Sequence, residues 1–309
     1  MSNPPRRAKT VRMGGARIGI DLGGTKIEAA VLGADGRIGF RRRIPTPRGA
    51  YRPIVEAVAA LVGAARREGC APEAPIGVGI PGSIAAESGL VRNANTVELN
   101  GRPFAADLGE ALGRPVRVSN DANCLAAAEA GPGGAAAGAG LVFAVILGTG
   151  CGGGIAIGGR VHEGINRIAG EWGHTPLPWP EADEYPGHRC WCGRMNCLET
   201  WLSGPALARE AGAPDGHAAV GMAASGVARA KAAVRRHVDR LARGLAVIVN
   251  VLDPDAIVLG GGVSNLAHLY AEVPGRWPGR VLSETVRTRL LPAAQGDSAG
   301  VIGAARLWE

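Results

Sequence analysis

Short apolar runs alternate with amphipathic segments along the chain, and this pattern predicts an α/β fold. Apolar runs of strand length lie at 17–21, 28–32, 76–80, 116–119 and 256–259, and helical periodicity appears near 51–68, 104–112 and 121–130. Strands that alternate with helices favour a sheet covered by helices. The pattern therefore predicts an α/β protein rather than a helical bundle or an all-β sandwich.

One long helix is predicted in the C-terminal half. Its apolar positions are Val227, Val234, Val238, Leu241, Leu245, Ile248 and Leu252. Spacings of three, four and seven residues place all of them on one helical face, which is typical of a core helix. The helix should end at Asp253, because the residue before a proline disfavours helical geometry.

The same hairpin pattern occurs twice, about 125 residues apart. In each copy an apolar run enters a glycine-rich turn and a second apolar run leaves it. The first turn is 21–26, with Asp21, Gly23, Gly24, Thr25 and Lys26; the second is 148–154, with Gly148, Thr149, Gly150, Gly152 and Gly153. Open glycine backbone can bind anions through its N–H groups. The repeat favours two related lobes that each offer a phosphate-binding turn, although an ordinary hairpin turn also favours Gly-Gly.

Composition and charge narrow the possible partners. The chain has 309 residues, 46% hydrophobic and 20% charged, with a net charge of +7. Arg6, Arg7, Lys9 and Arg12 supply four of these charges, and residues 1–16 are expected to form a disordered basic tail rather than a signal peptide. The remaining charge is small, so neither a nucleic-acid nor a membrane partner is expected. A cytoplasmic location is expected.

Three of the six cysteines form a cluster with metal-ligand spacing. Cys190, Cys192 and Cys197 supply three thiolates, and either His174 or His188 could supply a fourth ligand. Three thiolates and one imidazole make a closed tetrahedral set, which is typical of structural zinc. Reduced, metal-free cysteines are the alternative.

Several polar residues are candidates for substrate chemistry. Glu171 and Glu199 flank the cysteine cluster and could accept hydrogen bonds from sugar hydroxyls, or could be surface charges. Asn120 and Asp121 follow a strand and begin a helix. Asp121 could be a helix N-cap, or a catalytic base at the carboxyl end of a strand, where α/β folds bind ligands.

Taken together, these motifs resemble those of the ROK family of sugar kinases. The matching stretches are 21–26, 120–123, 147–154, 170–174, 190–199 and 258–262, and the resemblance runs from about residue 17 to the C-terminus. Further stretches at 79–84, 93–96, 99–103 and 177–179 look like the bacterial fructokinase branch. One departure is Asn196, which stands where the family pattern has glycine. Asparagine tolerates the left-handed conformation, so the loop is expected to survive.

The resemblance implies a two-lobed, actin-like (ribonuclease-H-like) ATPase fold with a zinc-bound loop at 170–200. The lobes would be 17–130 and 131–297, joined at the glycine-rich, hinge-like run 131–140, with a C-terminal helix within 298–309 packing back on the first lobe. The family also suggests a homodimer.

The resemblance also implies an ATP-dependent hexose kinase with Mg²⁺ as catalytic cofactor and Zn²⁺ as structural metal. Fructose is the expected acceptor, with mannose as a second substrate of the same enzyme. Glucose or an N-acetylhexosamine is the alternative acceptor. A non-catalytic sugar-sensing protein is a further alternative. Asp121 would be the catalytic base. Gly82, Asn95, Asn120, Glu171, His174 and Glu199 would contact the sugar, both turns with Gly261 and Gly262 would contact ATP, and His174 with the three cysteines would bind zinc.

Overall fold

The computed structural model describes residues 15–309, and residues 1–14 of the predicted basic tail lie outside that range. The strands are β1 (Arg17–Leu22), β2 (Lys26–Leu32), β3 (Ile38–Pro45), β4 (Ile76–Ile80), β5 (Ser83–Ile84), β6 (Val91–Arg92), β7 (Arg117–Asn120), β8 (Leu141–Leu147), β9 (Cys151–Ile157), β10 (Arg160–Val161), β11 (Ala256–Gly260) and β12 (Arg289–Pro292). The helices are α1 (Tyr51–Arg67), α2 (Phe104–Leu112), α3 (Asp121–Ala130), α4 (Glu199–Leu202), α5 (Gly204–Ala211), α6 (Gly216–Ala224), α7 (Ala228–Leu252), α8 (His268–Glu272) and α9 (Ala299–Arg306).

Two five-stranded sheets share one topology. The first has the order β3-β2-β1-β4-β7 and the second β10-β9-β8-β11-β12. In each, the first three strands along the chain are antiparallel and the other two are parallel to the first. The two glycine turns occupy equivalent positions, between β1 and β2 and between β8 and β9. The repeated hairpin in the sequence therefore corresponds to a repeated fold, and the predicted two-lobed α/β architecture is confirmed.

Each sheet has its own apolar core. Ile18, Ile20 and Ile76 of the first sheet pack with α1, and Phe143, Val145 and Ile257 of the second pack with α7. Of the apolar positions predicted for helix α7, Val238, Leu241 and Leu245 are buried, Val234, Ile248 and Leu252 are half-buried, and Val227 is exposed. The stretch 240–246 is buried on all sides, which the apolar spacing does not predict. None of the described helices is long and apolar enough to cross a membrane.

Helices α3 and α9 pack against each other and connect the two sheets. Helix α9 lies on β1 and β4, and α3 lies on β8 and β9. Glycines allow these close approaches: a Cβ at Gly19 or Gly77 would collide with the backbone of α9, and one at Gly303 would collide with the backbone of α3. Because α3 also packs on the second sheet, the division into lobes at residue 130 stays a prediction.

The glycine-rich run 131–140 is held by two buried charged residues. Glu129 accepts hydrogen bonds from the N–H groups of Ala135 (2.8 Å), Ala294 (3.0 Å) and Gln295 (2.9 Å). Arg306 donates to the carbonyl oxygens of Ala128 (2.8 Å) and Pro132 (2.7 Å). The run is thus tied to both α3 and the segment before α9, whereas its composition alone predicts a freely flexible hinge.

Candidate active site

A cavity of about 450 Å³ brings together all seven of the predicted sugar-binding residues. One wall carries Gly82, Asn95, Asn120 and Asp121, and the other carries Thr149, Gly150, Gly152, Glu171, His174 and Glu199. These residues come from distant parts of the sequence, and the cavity is polar because carboxylates and amides line it. Such a lining suits a ligand with many hydroxyl groups.

Asp121 begins α3 but does not cap it. The side chain of Asn120 is the N-cap and accepts a hydrogen bond from the N–H of Asn123 at 2.7 Å. Asp121 accepts one from the N–H of Ala122 at 2.8 Å and presents its carboxylate to the cavity. Because the side chain of Asn120 caps the helix, the carboxylate of Asp121 is free for chemistry. Of the two roles that the sequence left open for Asp121, the N-cap role belongs to Asn120 instead.

The surroundings of Asp121 favour a proton acceptor active near neutral pH. The carboxylate is open to the cleft, yet protein atoms crowd around it. This partial removal of water raises the pKa of Asp121, the hydrogen bond from Ala122 opposes the rise, and the charges of Asp21 and Glu171 add to it, so that the pKa is about 6. A raised pKa means a more basic carboxylate, as general-base catalysis requires.

Glu199 is held in place by two donors. Its carboxylate accepts hydrogen bonds from the Trp191 indole at 2.5 Å and from the N–H of Cys151 at 3.0 Å. A Cβ at Gly150 would lie 2.8 Å from Oε2 of Glu199, so glycine is required there to admit the carboxylate. The glycine turn and Glu199 therefore form one wall.

His174, Cys190, Cys192 and Cys197 form a cluster that can hold a metal ion. Their ligand atoms lie within 4.8 Å of one another. Nδ1 of His174 is 3.6 Å from Sγ of Cys190, and Sγ of Cys192 is 3.6 Å from Sγ of Cys197. Tetrahedral zinc with sulfur at about 2.3 Å would require separations of about 3.8 Å, so the residues fit zinc closely. His188 is not in this cluster and instead packs its ring on Trp201.

Asn196 has a left-handed backbone, with φ of 63°. Its side-chain oxygen accepts a hydrogen bond from the Trp201 indole at 2.7 Å. The sequence expectation for this position is therefore met, and the asparagine adds a buried hydrogen bond that glycine could not make.

A buried ion network anchors the segment that leads into the cysteine cluster. Glu184 accepts hydrogen bonds from Arg240 (2.7 Å) and Arg243 (2.8 Å) of α7, and all three residues are buried. Arg243 also donates to the carbonyl oxygen of Trp179 at 2.6 Å. Burial raises the pKa of Glu184, but the bonds from Arg243 and Arg240 outweigh it and lower the pKa to about 2.

The first glycine turn lies against the C-terminal helix. Asp21 packs on Gly300, where a Cβ would be 2.7 Å from its Cγ. Thr46 fixes the turn by donating to the carbonyl oxygen of Gly23 at 2.7 Å. Burial raises the pKa of Asp21, and so does the charge of Glu28, its partner across the strands. The charge of Asp21 also raises the pKa of Asp121, so the two carboxylates are within electrostatic reach of each other.

The predicted nucleotide residues are only partly in this cavity. Asp21, Gly23, Gly24, Thr25, Lys26, Gly148, Gly261 and Gly262 are not among the residues that line it. Gly153 is buried, and a Cβ there would meet Gly170, Phe143 and Trp172 within 2.8 Å. Packing in the second lobe therefore also requires a glycine at this position, and contact of Gly153 with ATP stays a prediction.

The sequence did not indicate six residues of the cavity wall, and three of these are Pro81, Ile146 and Cys151. Ser83, Asn93 and Trp191 line it beside the predicted residues. Asn93 has a left-handed backbone, with φ of 57°. Trp191 stands between two cysteine ligands in an exposed loop, and an aromatic residue in such a polar loop is the signal that could have indicated it.

Comparisons with known proteins agree with this geometry, and fold and site together define a two-lobed sugar kinase. Residues 17–309 match the ROK family model, and the chain belongs to the ROK family. It is 37% identical to an N-acetyl-D-glucosamine kinase of Escherichia coli O6:H1, over 94% of this chain and 98% of the relative.

Two solved structures are also similar. A ROK hexokinase from Thermus thermophilus has a TM-score of 0.85 and 33% identity, covering 94% of this chain and 97% of the other. A ROK glucokinase from Streptomyces griseus, solved with glucose and AMPPNP, has a TM-score of 0.75 and 30% identity, covering 95% and 99%.

Proposed function

We propose that this sugar kinase transfers the γ-phosphoryl group of ATP to the 6-hydroxyl of N-acetyl-D-glucosamine. The observation that carries the proposal is the meeting of Asp121 with Asn120, Glu171, His174 and Glu199 in one cavity. The choice of acceptor rests on the E. coli relative, an N-acetyl-D-glucosamine kinase that is 37% identical over nearly the whole chain.

In the proposed reaction, Asp121 accepts the proton of the sugar hydroxyl as its oxygen bonds to phosphorus. Glu171, Glu199 and His174 bind the other hydroxyl groups and orient the ring. Phosphoryl transfer proceeds through a loose transition state, so positioning and charge stabilisation contribute most of the catalysis. Mg²⁺, when bound, neutralises charge on the phosphates, and Asp21 would help to hold it.

The nucleotide site of this proposal comprises both glycine turns and the glycines after β11. Its residues are Asp21, Gly23, Gly24, Thr25, Lys26, Gly148, Thr149, Gly150, Gly152, Gly261 and Gly262. Open backbone N–H groups at these turns suit phosphate oxygens.

We also propose that the cluster of His174, Cys190, Cys192 and Cys197 binds a structural zinc ion. A closed set of four protein ligands leaves no position for a reacting water. The metal would hold the loop that carries Glu199, and it would fix the ring of His174 in the sugar site. The homodimer that the family suggests stays a prediction, which sedimentation velocity of the purified chain would test.

An ADP-release assay over a panel of sugars tests the acceptor. With MgATP, N-acetylglucosamine should give the highest kcat/KM among N-acetylglucosamine, glucose, mannose and fructose. Fructose is the second candidate, because stretches 79–84 and 93–96 look like the fructokinase branch. A higher kcat/KM for fructose than for N-acetylglucosamine would make fructose the acceptor. Absence of sugar-dependent ADP release would contradict both candidates.

A further inference from the structure

A second cavity, of about 990 Å³, adjoins the candidate sugar site. Ser83, Asn93, Glu171, His174 and Trp191 line both cavities. Asp121 and the glycine-turn residues Thr149, Gly150 and Gly152 line only the smaller one. The larger cavity therefore opens from the part of the sugar site that lies away from the proposed phosphoryl transfer.

If the proposed function holds, the geometry of the sugar ring determines which substituent faces the larger cavity. In a hexopyranose, the carbon directly across the ring from C5 is C2. When the 6-hydroxyl on the C5 arm lies at Asp121, the C2 substituent points to the opposite end of the site. That end is the wall shared by the two cavities, so a group attached at C2 would face the larger cavity.

The shared wall offers a fixed aromatic surface. Trp191 packs edge-to-face on His174, with ring centroids 4.9 Å apart and an interplanar angle of 87°. Its indole nitrogen is bonded to Glu199, yet 63% of the residue remains exposed. The polar edge of the ring is satisfied, and its apolar surface is accessible to a ligand.

Apolar side chains continue beyond Trp191 on both sides of the larger cavity. Ile168 contributes from the second lobe and is 49% exposed. Ala85 and Ala86, in the hairpin between β5 and β6, contribute from the first lobe. Small and aliphatic residues leave room for an apolar chain, and burial of such a chain against them is favourable.

We propose that the site accepts 2-acylamido hexoses with acyl chains longer than acetyl, and that the added chain lies in the larger cavity against Trp191 and Ile168. The sugar ring and the reacting hydroxyl keep their places. The site then selects strictly for the sugar ring but accepts acyl chains of different length on the 2-amino group.

A series of N-acetyl-, N-butanoyl- and N-hexanoylglucosamine in the ADP-release assay tests this inference. The kcat/KM for the longer chains should stay within about tenfold of that for N-acetylglucosamine, whereas a closed pocket rejects one extra methylene by about 10–200-fold. A fall of more than about 100-fold from acetyl to butanoyl would overturn the inference. Loss of turnover with all three sugars would overturn it too, and turnover of glucose in that assay would then show that the kinase activity itself stands.

Two variants fill the larger cavity from opposite sides. Ile168→Trp and Ala86→Trp should each lower kcat/KM for N-hexanoylglucosamine by about tenfold or more and leave that for N-acetylglucosamine within about twofold. Ile165→Trp is the matched control, because Ile165 is 91% exposed and lines neither cavity. The retained N-acetylglucosamine activity reports correct folding. An equal loss on both sugars, or no loss on the longer one in either variant, contradicts the assignment of this cavity.

Discussion

Replacing Glu184 by glutamine removes the charge at the centre of the buried network that anchors the cysteine-rich loop. Arg240 and Arg243 both remain buried, but each keeps a second carboxylate partner, Glu210 for Arg240 and Asp239 for Arg243, so the cost should lie at the low end of the range for a broken buried pair. Breaking a buried pair costs about 3–5 kcal/mol. The pKa of Glu184 gives a second measure, since its fall from 4.5 to about 2 corresponds to about 3 kcal/mol of stability at pH 7.

Thermal unfolding at pH 7 measures this effect. A loss of about 3 kcal/mol should lower Tm by roughly 6–12 °C in a lobe of this size. Glu68→Gln is the control, because Glu68 pairs with Arg42 at 2.9 Å with both side chains about half exposed, and such pairs contribute at most about 1 kcal/mol. Equal shifts for the two variants would refute the reasoning.

The same network predicts a pH dependence of stability. Because the folded-state pKa of Glu184 lies below the unfolded-state value, its contribution is complete above pH 4.5 and is lost as the pH falls toward 2. The difference in Tm between wild type and Glu184→Gln should therefore be constant from pH 7 to pH 5 and shrink below that.

Three further substitutions test other parts of the site. Cys192→Ser should lose stoichiometric zinc by elemental analysis and lower kcat/KM for the sugar at least about tenfold, and full zinc with full activity would contradict this. Asn196→Gly should lower the free energy of unfolding by about 1 kcal/mol through the lost hydrogen bond to Trp201. Asn196→Ala should lower it by about 1 kcal/mol more, because alanine disfavours positive φ, and equal melting temperatures for the two variants would contradict this. Gly300→Ala should press on Asp21 and raise KM for MgATP on the order of tenfold, and an unchanged KM would remove the proposed role of this contact.

The regular elements could be predicted closely from apolar periodicity. Helices α1, α2, α3 and α7 begin and end within one residue of the predicted bounds. Helices α1, α2 and α7 have clear amphipathic patterns, whereas α3 is buried on nearly all sides. The contact between α3 and α9 could not be predicted, since it depends on glycines far apart in the sequence, such as Gly19 and Gly303. Composition also does not indicate that buried Glu129 accepts hydrogen bonds from Ala135 of the run 131–140 and from the distant Ala294 and Gln295. The role of this run as a hinge stays a prediction.

The chemistry of the site could be predicted where residues act through their type and spacing. The metal cluster is of this kind: spacing alone left His174 and His188 open, the family resemblance pointed to His174, and the fold places His174 with the three cysteines. At Gly153 the sequence does not distinguish a glycine that admits a ligand from one that admits a neighbouring side chain, and the fold shows that neighbouring residues pack there. Trp191 was not assigned because its position depends on how the loop folds over His174.

Replacing Asp121 tests most directly the proposal that this residue is the base in phosphoryl transfer to a bound sugar. Asp121→Asn retains the shape of the side chain and removes its basicity, so kcat for sugar-dependent ADP release should fall on the order of 10²–10⁴-fold. Sugar binding by calorimetry should be retained, and Tm should not fall, because the variant removes a carboxylate whose ionised form is disfavoured in the fold. In the wild type, kcat/KM should decline as the pH falls through about 6, where Asp121 takes up a proton. Near-normal turnover by Asp121→Asn, with sugar bound as in the wild type, would contradict the account.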